Sequence, residues 1–207
     1  MAAADCNCAD IVKILVEHGA DVNMTTCTSP LILAASNSSC ECSKILLDFG
    51  ADPNFQRNRD RNTALGVAVT RLIAPGSHHS YKPRKAQLDC IKLLLKFGAS
   101  VDKLYEGTYV VFRDPTAMTV QSPDLFELLI EFEGNRPDTR EMCRANAHAM
   151  KTNLEWSRLM ELTSSPRSLQ HFCRLVIRKR MDSNRVKRIP ELPVPSPVKQ
   201  FLMYCDL

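Results

Sequence analysis

The chain carries one five-residue string three times: Gly19-Ala20-Asp21-Val22-Asn23, Gly50-Ala51-Asp52-Pro53-Asn54 and Gly98-Ala99-Ser100-Val101-Asp102. A weaker copy follows at Gly134-Asn135-Arg136-Pro137-Asp138. Each copy is preceded by a short apolar segment with the i, i+3, i+4 spacing of a half-buried helix. These segments are residues 11–16, 42–47, 90–95 and 125–130. The glycine that follows each one suits a helix C-terminus, where the backbone turns left-handed.

A second kind of segment completes the repeating unit. Residues 29–35 and 63–68 each read as a turn that opens a helix of small residues, with Pro30 at a first helical position. Together, the two segment types resemble the ankyrin repeat. The resemblance implies an all-α solenoid of about three and a half to four units, the first of them truncated. The expected units are residues 1–23, 24–54, 55–102 and 103–138, with an exposed insertion at 70–86.

Composition restricts the functional classes. The chain is 44% hydrophobic and 24% charged, as in globular proteins, and it has no apolar run long enough for a membrane span. Residues 1–138 hold 14 Lys+Arg and 17 Asp+Glu, whereas residues 139–207 hold 13 and 6. The basic run in residues 174–188 has a rival interpretation as a nucleic-acid patch or nuclear-import signal. Because no aromatic residues interleave with it, we expect a solvated helix face and no nucleic-acid partner.

The nine cysteines do not form a disulfide framework or a metal knuckle. Their odd number indicates reduced thiols, and we expect a cytoplasmic protein, with the nucleus as the alternative. Cys42 and Cys90 align with Ile11 on the buried face of the repeat helix, where a thiol acts as a small hydrophobe. We therefore expect no metal, no cofactor and no catalytic residue, since no catalytic motif is present. A metal- or thiol-dependent enzyme using Cys6, Cys8, Cys40 and Cys42 is the rival hypothesis.

The C-terminal region begins with an amphipathic helix. Ser165 and Pro166 suit a helix start. One apolar stripe follows on an otherwise basic helix, and it consists of Leu169, Phe172, Cys173, Val176 and Ile177. This region is too small to bury the stripe alone, so the stripe needs either the repeats or a partner.

A proline-rich segment follows the helix. Residues 192–195 read Leu-Pro-Val-Pro and should be extended, because a residue before proline is excluded from the α region. Ser196 and Pro197 then begin a last short helix, which carries Val198, Phe201 and Leu202 on one face.

The two features together resemble the SOCS box, a three-helix module placed at residues 165–207, after a helical bridge at 139–164 in which Trp156 is a core residue. With the repeats upstream, the chain resembles the ankyrin repeat and SOCS box family. The resemblance implies a binding surface for elongin C, with elongin B, at Leu169, Phe172, Cys173, Val176 and Ile177. It also implies a box that selects cullin-5 with its RING-type subunit. That box comprises Ile189, Leu192, Pro193, Val194, Pro195, Val198, Phe201 and Leu202.

The function implied is that of a non-catalytic substrate receptor in a ubiquitin ligase, in which the repeats bind an unidentified target protein. The alternative is an interaction scaffold whose C-terminal helices serve only as a structural cap on the repeats.

Overall fold

The computed structural model describes residues 1–73, 84–104, 123–133, 161, 168–181, 186 and 188–205. The regular elements in these ranges are all helical. The α-helices are α1 (Ala2–Asp5), α2 (Ala9–Glu17), α3 (Pro30–Ser36), α4 (Cys40–Asp48), α5 (Ala64–Ile73), α6 (Arg84–Lys96), α7 (Pro123–Glu133), α8 (Leu169–Arg180) and α9 (Ser196–Leu202). Two 3₁₀ turns occupy Asp102–Leu104 and Ile189–Glu191.

The first seven helices stack in two layers, which confirms the predicted solenoid. Helices α1, α3 and α5 pack in sequence as one layer, and α2, α4 and α6 pack as the other, with α7 against α6. A single hydrophobic core runs through the stack from Ala4 to Leu129. Cys42 and Cys90 are fully buried in it, as predicted.

The repeated five-residue string links each unit to the next. Gly19, Gly50 and Gly98 all have positive φ, as the helix C-termini require. The Asn54 side chain donates from Nδ2 to the Gly98 carbonyl at 2.9 Å and accepts from the Ser100 amide at 2.7 Å. Asn23 makes the same two bonds to Gly50 and Asp52. The last residue of the first string and that of the second, Asn23 and Asn54, therefore satisfy backbone groups in the following copy.

Helix starts in the stack follow the sequence, whereas the insertion is shorter than predicted. The Ser29 side chain accepts from the Ile32 amide at 3.3 Å, and Pro30 occupies the first helical position. Residues 70–73 belong to α5 and residues 84–86 to α6, so both ends of the predicted finger at 70–86 are helical. In this last part of α5, Leu72 is buried in the core and the Thr70 hydroxyl donates to the Gly66 carbonyl at 2.8 Å.

Several predictions lie outside the described residues. These are the interior of the insertion, most of the fourth unit apart from α7, the bridge at 139–164 with Trp156, and the proposed helix start at Ser165 and Pro166. The helix that carries Leu169 begins later than predicted, since Ser168 is its N-cap. The Ser168 hydroxyl accepts from the His171 amide at 3.2 Å, which satisfies a donor that would otherwise lack a partner in the helix.

Arg178 of α8 ties the C-terminal helices to the repeat stack. Its Nη2 donates to the carbonyls of Leu95 and Lys96 at 3.0 and 2.8 Å, in the last turn of α6. Its Nη1 donates to the Leu202 carbonyl at 2.8 Å, at the end of α9. One guanidinium thus serves the C-terminal carbonyls of two helices, which carry partial negative charge.

A second set of contacts surrounds Glu131 of α7. Arg174 is only 4% exposed, and its Nη1 lies 3.5 Å from Glu131 Oε1. His171 Nδ1 lies 3.3 Å from the same oxygen. The Tyr204 hydroxyl donates to the Glu131 carbonyl at 3.3 Å, and its ring stacks on Phe132 with centroids 4.0 Å apart.

Arginine side chains lie over aromatic rings at this contact. The Arg174 guanidinium lies 3.9 Å from the Phe201 ring centroid and 4.3 Å from that of Tyr204, within the range of cation–π attraction. Burial raises the pKa of Tyr204 to about 12, while the Arg178 and Arg174 charges oppose that rise. Burial also lowers the pKa of Arg178.

The expectation of a solvated basic face on this helix is therefore wrong for Arg174 and Arg178. Both side chains point into the contact with the stack, because carbonyl groups and a carboxylate there supply acceptors for their donors. Lys179 and Arg180 do lie at the surface.

We expect Asn54→Ala to lower the free energy of unfolding by about 1–3 kcal/mol, because it leaves the Gly98 carbonyl and the Ser100 amide without their side-chain partner. Denaturant unfolding followed by circular dichroism measures this. Asn58→Ala, at an exposed loop position, is the control and should change stability by less than about 0.5 kcal/mol. Equal losses in both variants would contradict the role assigned to Asn54.

We expect one of the four tyrosines to ionise near pH 12. Because the folded-state pKa of Tyr204 lies above its ordinary value of about 10, docking favours the neutral phenol. The stability that this gives is complete below pH 10 or so and is lost as the pH rises toward 12. Absorbance titration of the wild type and of Tyr204→Phe should differ by a component near pH 12. A difference curve centred near pH 10 would show that Tyr204 is not buried in solution.

Candidate functional site

The predicted apolar stripe of α8 faces solvent. Leu169 is 78% exposed and Val176 is 60% exposed. Phe172, Cys173 and Ile177 are exposed as well, so all five residues predicted to form the elongin surface lie on the open side of one helix. A soluble helix ordinarily turns such a stripe toward the core, so an intact stripe in solvent is typical of a protein-binding surface.

The opposite side of the same helix explains this orientation. Arg174 and His171 are buried against Glu131, and Arg178 reaches the end of α6. The polar side of α8 thus faces the repeats, and its apolar side is left without a partner among the described residues. These three contact residues were not predicted from the sequence. The signal was the i, i+4 spacing of Arg174 and Arg178, on the side of the helix opposite Leu169.

The predicted cullin-box residues divide into two groups. Ile189 and Leu202 are buried with Val186 in a small separate core. Leu192 and Phe201 pack at its edge. The residues of the segment that face solvent are Pro193, Pro195 and Val198, and Val194 is half-buried.

Two polar contacts brace the turn that leads into this segment. Arg188 Nε donates to Glu191 Oε2 at 2.9 Å. Lys199 Nζ donates to the Pro190 carbonyl at 2.8 Å, which joins α9 to the preceding 3₁₀ turn. The Leu-Pro-Val-Pro stretch therefore lies between a 3₁₀ turn and α9 that are bonded to each other. Helix α9 in turn contacts α8, the helix that carries the apolar stripe.

The loop between the second and third units also contains internal polar contacts. Arg57 forms an ion pair with Asp60, and the Arg57 side chain holds the pKa of that carboxyl at about 2. The Arg57 amide donates to the Asn62 carbonyl at 2.9 Å. Arg59 and Arg61 project from the loop into solvent, so its tip is basic.

A second exposed apolar surface lies on α2. Ile11, Ile14 and Leu15 are about half exposed, whereas the aligned Cys42 and Leu46 of α4, which packs between α2 and α6, are buried. Among the described residues there is no group of three or more His, Cys, Asp or Glu placed to hold a metal ion. No helix in the same ranges is long and apolar enough to cross a membrane.

Comparisons with known proteins agree with this architecture. The SOCS box family matches residues 165–203, and the family of ankyrin repeats in three copies matches residues 1–105. The second match covers about half of the chain and coincides with the stacked helices α1–α6.

Several curated relatives share both modules by name. Ankyrin repeat and SOCS box protein 1 of Mus musculus is 24% identical over 181 residues, which are 84% of this chain and 42% of the relative. Protein 11 of the same series from Homo sapiens is 28% identical over 178 residues, 85% of this chain and 49% of the relative. Protein 5 from Homo sapiens is 32% identical over 119 residues, 57% of this chain and 35% of the relative.

The chain thus spans less than half the length of each of these relatives. The order of the modules, however, is the one that the fold shows: stacked helix pairs first, then the C-terminal helices docked on the last of them. With both family matches in this order, the chain belongs to the ankyrin repeat and SOCS box family.

Proposed function

We propose that this chain is a non-catalytic substrate-recognition subunit of a ubiquitin ligase built on elongin B, elongin C and cullin-5 with its RING-type subunit. The observation that carries the proposal is the exposed stripe of α8 on a helix that is already fixed to the stack by its other side. The relatives named above carry a SOCS box, the module that the family resemblance links to elongin C.

Leu169 is the central anchor in this proposal. It is largely exposed at the first position of α8, so it can enter a pocket of elongin C without any rearrangement of the helix. Phe172, Cys173, Val176 and Ile177 extend the same surface along about two and a half turns of helix. An aliphatic anchor on a rigid helix loses little conformational entropy on binding.

The exposed proline-rich segment is proposed to select the cullin. Pro193 and Pro195 restrict the backbone before binding, which lowers the entropic cost of docking. Ile189 and Leu202 are buried, so we assign them the role of supporting the segment and not of contacting the cullin.

The repeats are proposed to bind the target protein, and the ligase would then act on a lysine of that protein by proximity. The alternative is a scaffold whose C-terminal helices serve only as a structural cap on the repeats. That role would leave the exposed apolar stripe of α8 without a use, and this favours the ligase subunit.

We expect Leu169→Ala to weaken binding of purified elongin B/C about 30-fold, the effect of losing about 2 kcal/mol at the centre of an interface. The double variant Leu169→Ala with Cys173→Ala should bind still more weakly. Isothermal titration or a pull-down measures this. The unfolding temperature should stay unchanged, because Leu169 makes few contacts within the chain.

Gln170→Ala is the matched control, since Gln170 is exposed next to the stripe on the same helix. It should bind elongin B/C as the wild type does. If the wild-type chain fails to retain elongin B/C, or if the double variant retains it equally well, the ligase proposal is wrong.

We expect Pro193→Ala combined with Pro195→Ala to reduce cullin-5 recruitment about tenfold. Each lost proline gives the unbound segment more conformational freedom, so that ordering the segment on binding costs up to about 1 kcal/mol more. Elongin B/C binding should be unaffected. A binding assay with the preformed elongin complex separates the two effects. Gln200→Ala, on the exposed side of α9, serves as the control. Unchanged cullin binding in the proline variant would exclude this segment as the selector.

A further inference from the structure

Arg178 bonds directly to backbone carbonyls of both the stack and the last helix. Its partners at Leu95 and Lys96 end α6, and its partner at Leu202 ends α9. A planar guanidinium can serve these three acceptors at once because its donors point in fixed directions. The negative ends of two helix dipoles meet at this group, which adds to the attraction.

Other contacts also restrict the junction between the repeat stack and the C-terminal helices, which we call the joint. Tyr204 is fully buried between Phe132 of α7 and the two arginines. It connects the end of α9 to the Glu131 carbonyl. Contacts between the stack and the C-terminal helices are therefore made from both α8 and α9, and not from a single point.

This joint determines the direction of the exposed stripe. Units within a chain move relative to one another by default unless a firm interface holds them. Here the apolar stripe of α8 lies on the face opposite Arg174 and Arg178, so whatever fixes the arginines also fixes the direction in which a partner of the stripe extends.

We propose, on the basis of the function proposed above, that Arg178 is a positioning residue: it holds the repeat stack at a fixed angle to the bound ligase and so determines which lysines the ligase reaches. Arg178 does not contact the partner. Its effect is on the effective concentration of acceptor lysines near the active ubiquitin carrier.

The chain contains a natural set of acceptors for testing this. Lys13, Lys44 and Lys92 occupy the same position of the string-preceding helices α2, α4 and α6, one in each successive unit. Lysines in successive units of the stack lie at different distances from the C-terminal helices. A rigid joint should favour some of the three over the others, and a loose joint should make their modification more even.

The first measurement needs no partner. Genetically encoded spin-label amino acids at exposed Glu41 and Gln200 report the distance between α4 and α9 without interference from the nine cysteines. We expect Arg178→Ala to broaden the distance distribution about twofold, as freed units do. Arg180→Ala, an exposed arginine on the same helix, should leave it unchanged.

Arg178→Lys covers the possibility that the alanine variant unfolds. Lysine keeps the charge but cannot present a planar fork to three carbonyls, so we expect an intermediate width. If the alanine variant keeps the wild-type width of the distance distribution, the claim that Arg178 fixes the joint is wrong. If the alanine variant unfolds, a wild-type width in the lysine variant has the same meaning.

The second measurement uses the reconstituted ligase with elongin B/C, cullin-5 and its RING-type subunit, and maps self-ubiquitination of the chain by mass spectrometry. We expect uneven modification of Lys13, Lys44 and Lys92 in the wild type and in Arg180→Ala, and more even modification in Arg178→Ala at unchanged elongin affinity. The same pattern in all three proteins would overturn the positioning role. Loss of elongin binding by the wild type would instead overturn the proposed function, and the distance measurement would still decide whether Arg178 fixes the joint.

Discussion

The placement of α8 and α9 on the repeat stack centres on a guanidinium group that serves backbone carbonyls from two helix ends. Arg178 is close to α6 in space, but its partners at Leu95 and Lys96 lie 83 and 82 residues away in the chain. Carbonyls at the end of a helix have no partners within it, and a buried one is costly unless a donor reaches it. Arg178 supplies a donor to both carbonyls, in addition to the Gly98 amide that already bonds to Leu95, and so helps to hold α8 against the stack.

The consequence is a helix whose usual orientation is inverted. Its charged side faces protein, because acceptors there compensate for the desolvation of the arginines, and its apolar side faces water. The same contacts account for part of the uneven distribution of charge along the sequence. Part of the positive charge of residues 139–207 is used against Glu131 and against helix C-termini, so it stabilises the contact between modules. The exposed stripe is then free for a partner.

Sequence patterns predicted the stack in detail because its determinants are local. Gly50 marks a helix end, and Ser29 with Pro30 marks a helix start, each within a few residues of its effect. The members of the apolar stripe were also identifiable, since Leu169 and Cys173 follow helical spacing. The direction of the stripe could not be predicted. Periodicity shows that a helix has two sides but not which side the protein covers, and the deciding contacts of Arg178 are non-local.

The small core beneath the proline-rich segment bears on how separable the box is. Val186, Ile189 and Leu202 form it with a few half-buried neighbours. Within the described part of the chain, this core is far smaller than an independent domain needs, and further contacts come from Glu131, Phe132 and the end of α6. The box is thus recognisable as a module in the sequence, but its stability also depends on its contacts with the repeats. Joined to a foreign repeat array, it would require an acceptor-rich helix end and a carboxylate in the matching places, so recombination of such boxes among proteins is constrained by the last repeat as much as by the box itself.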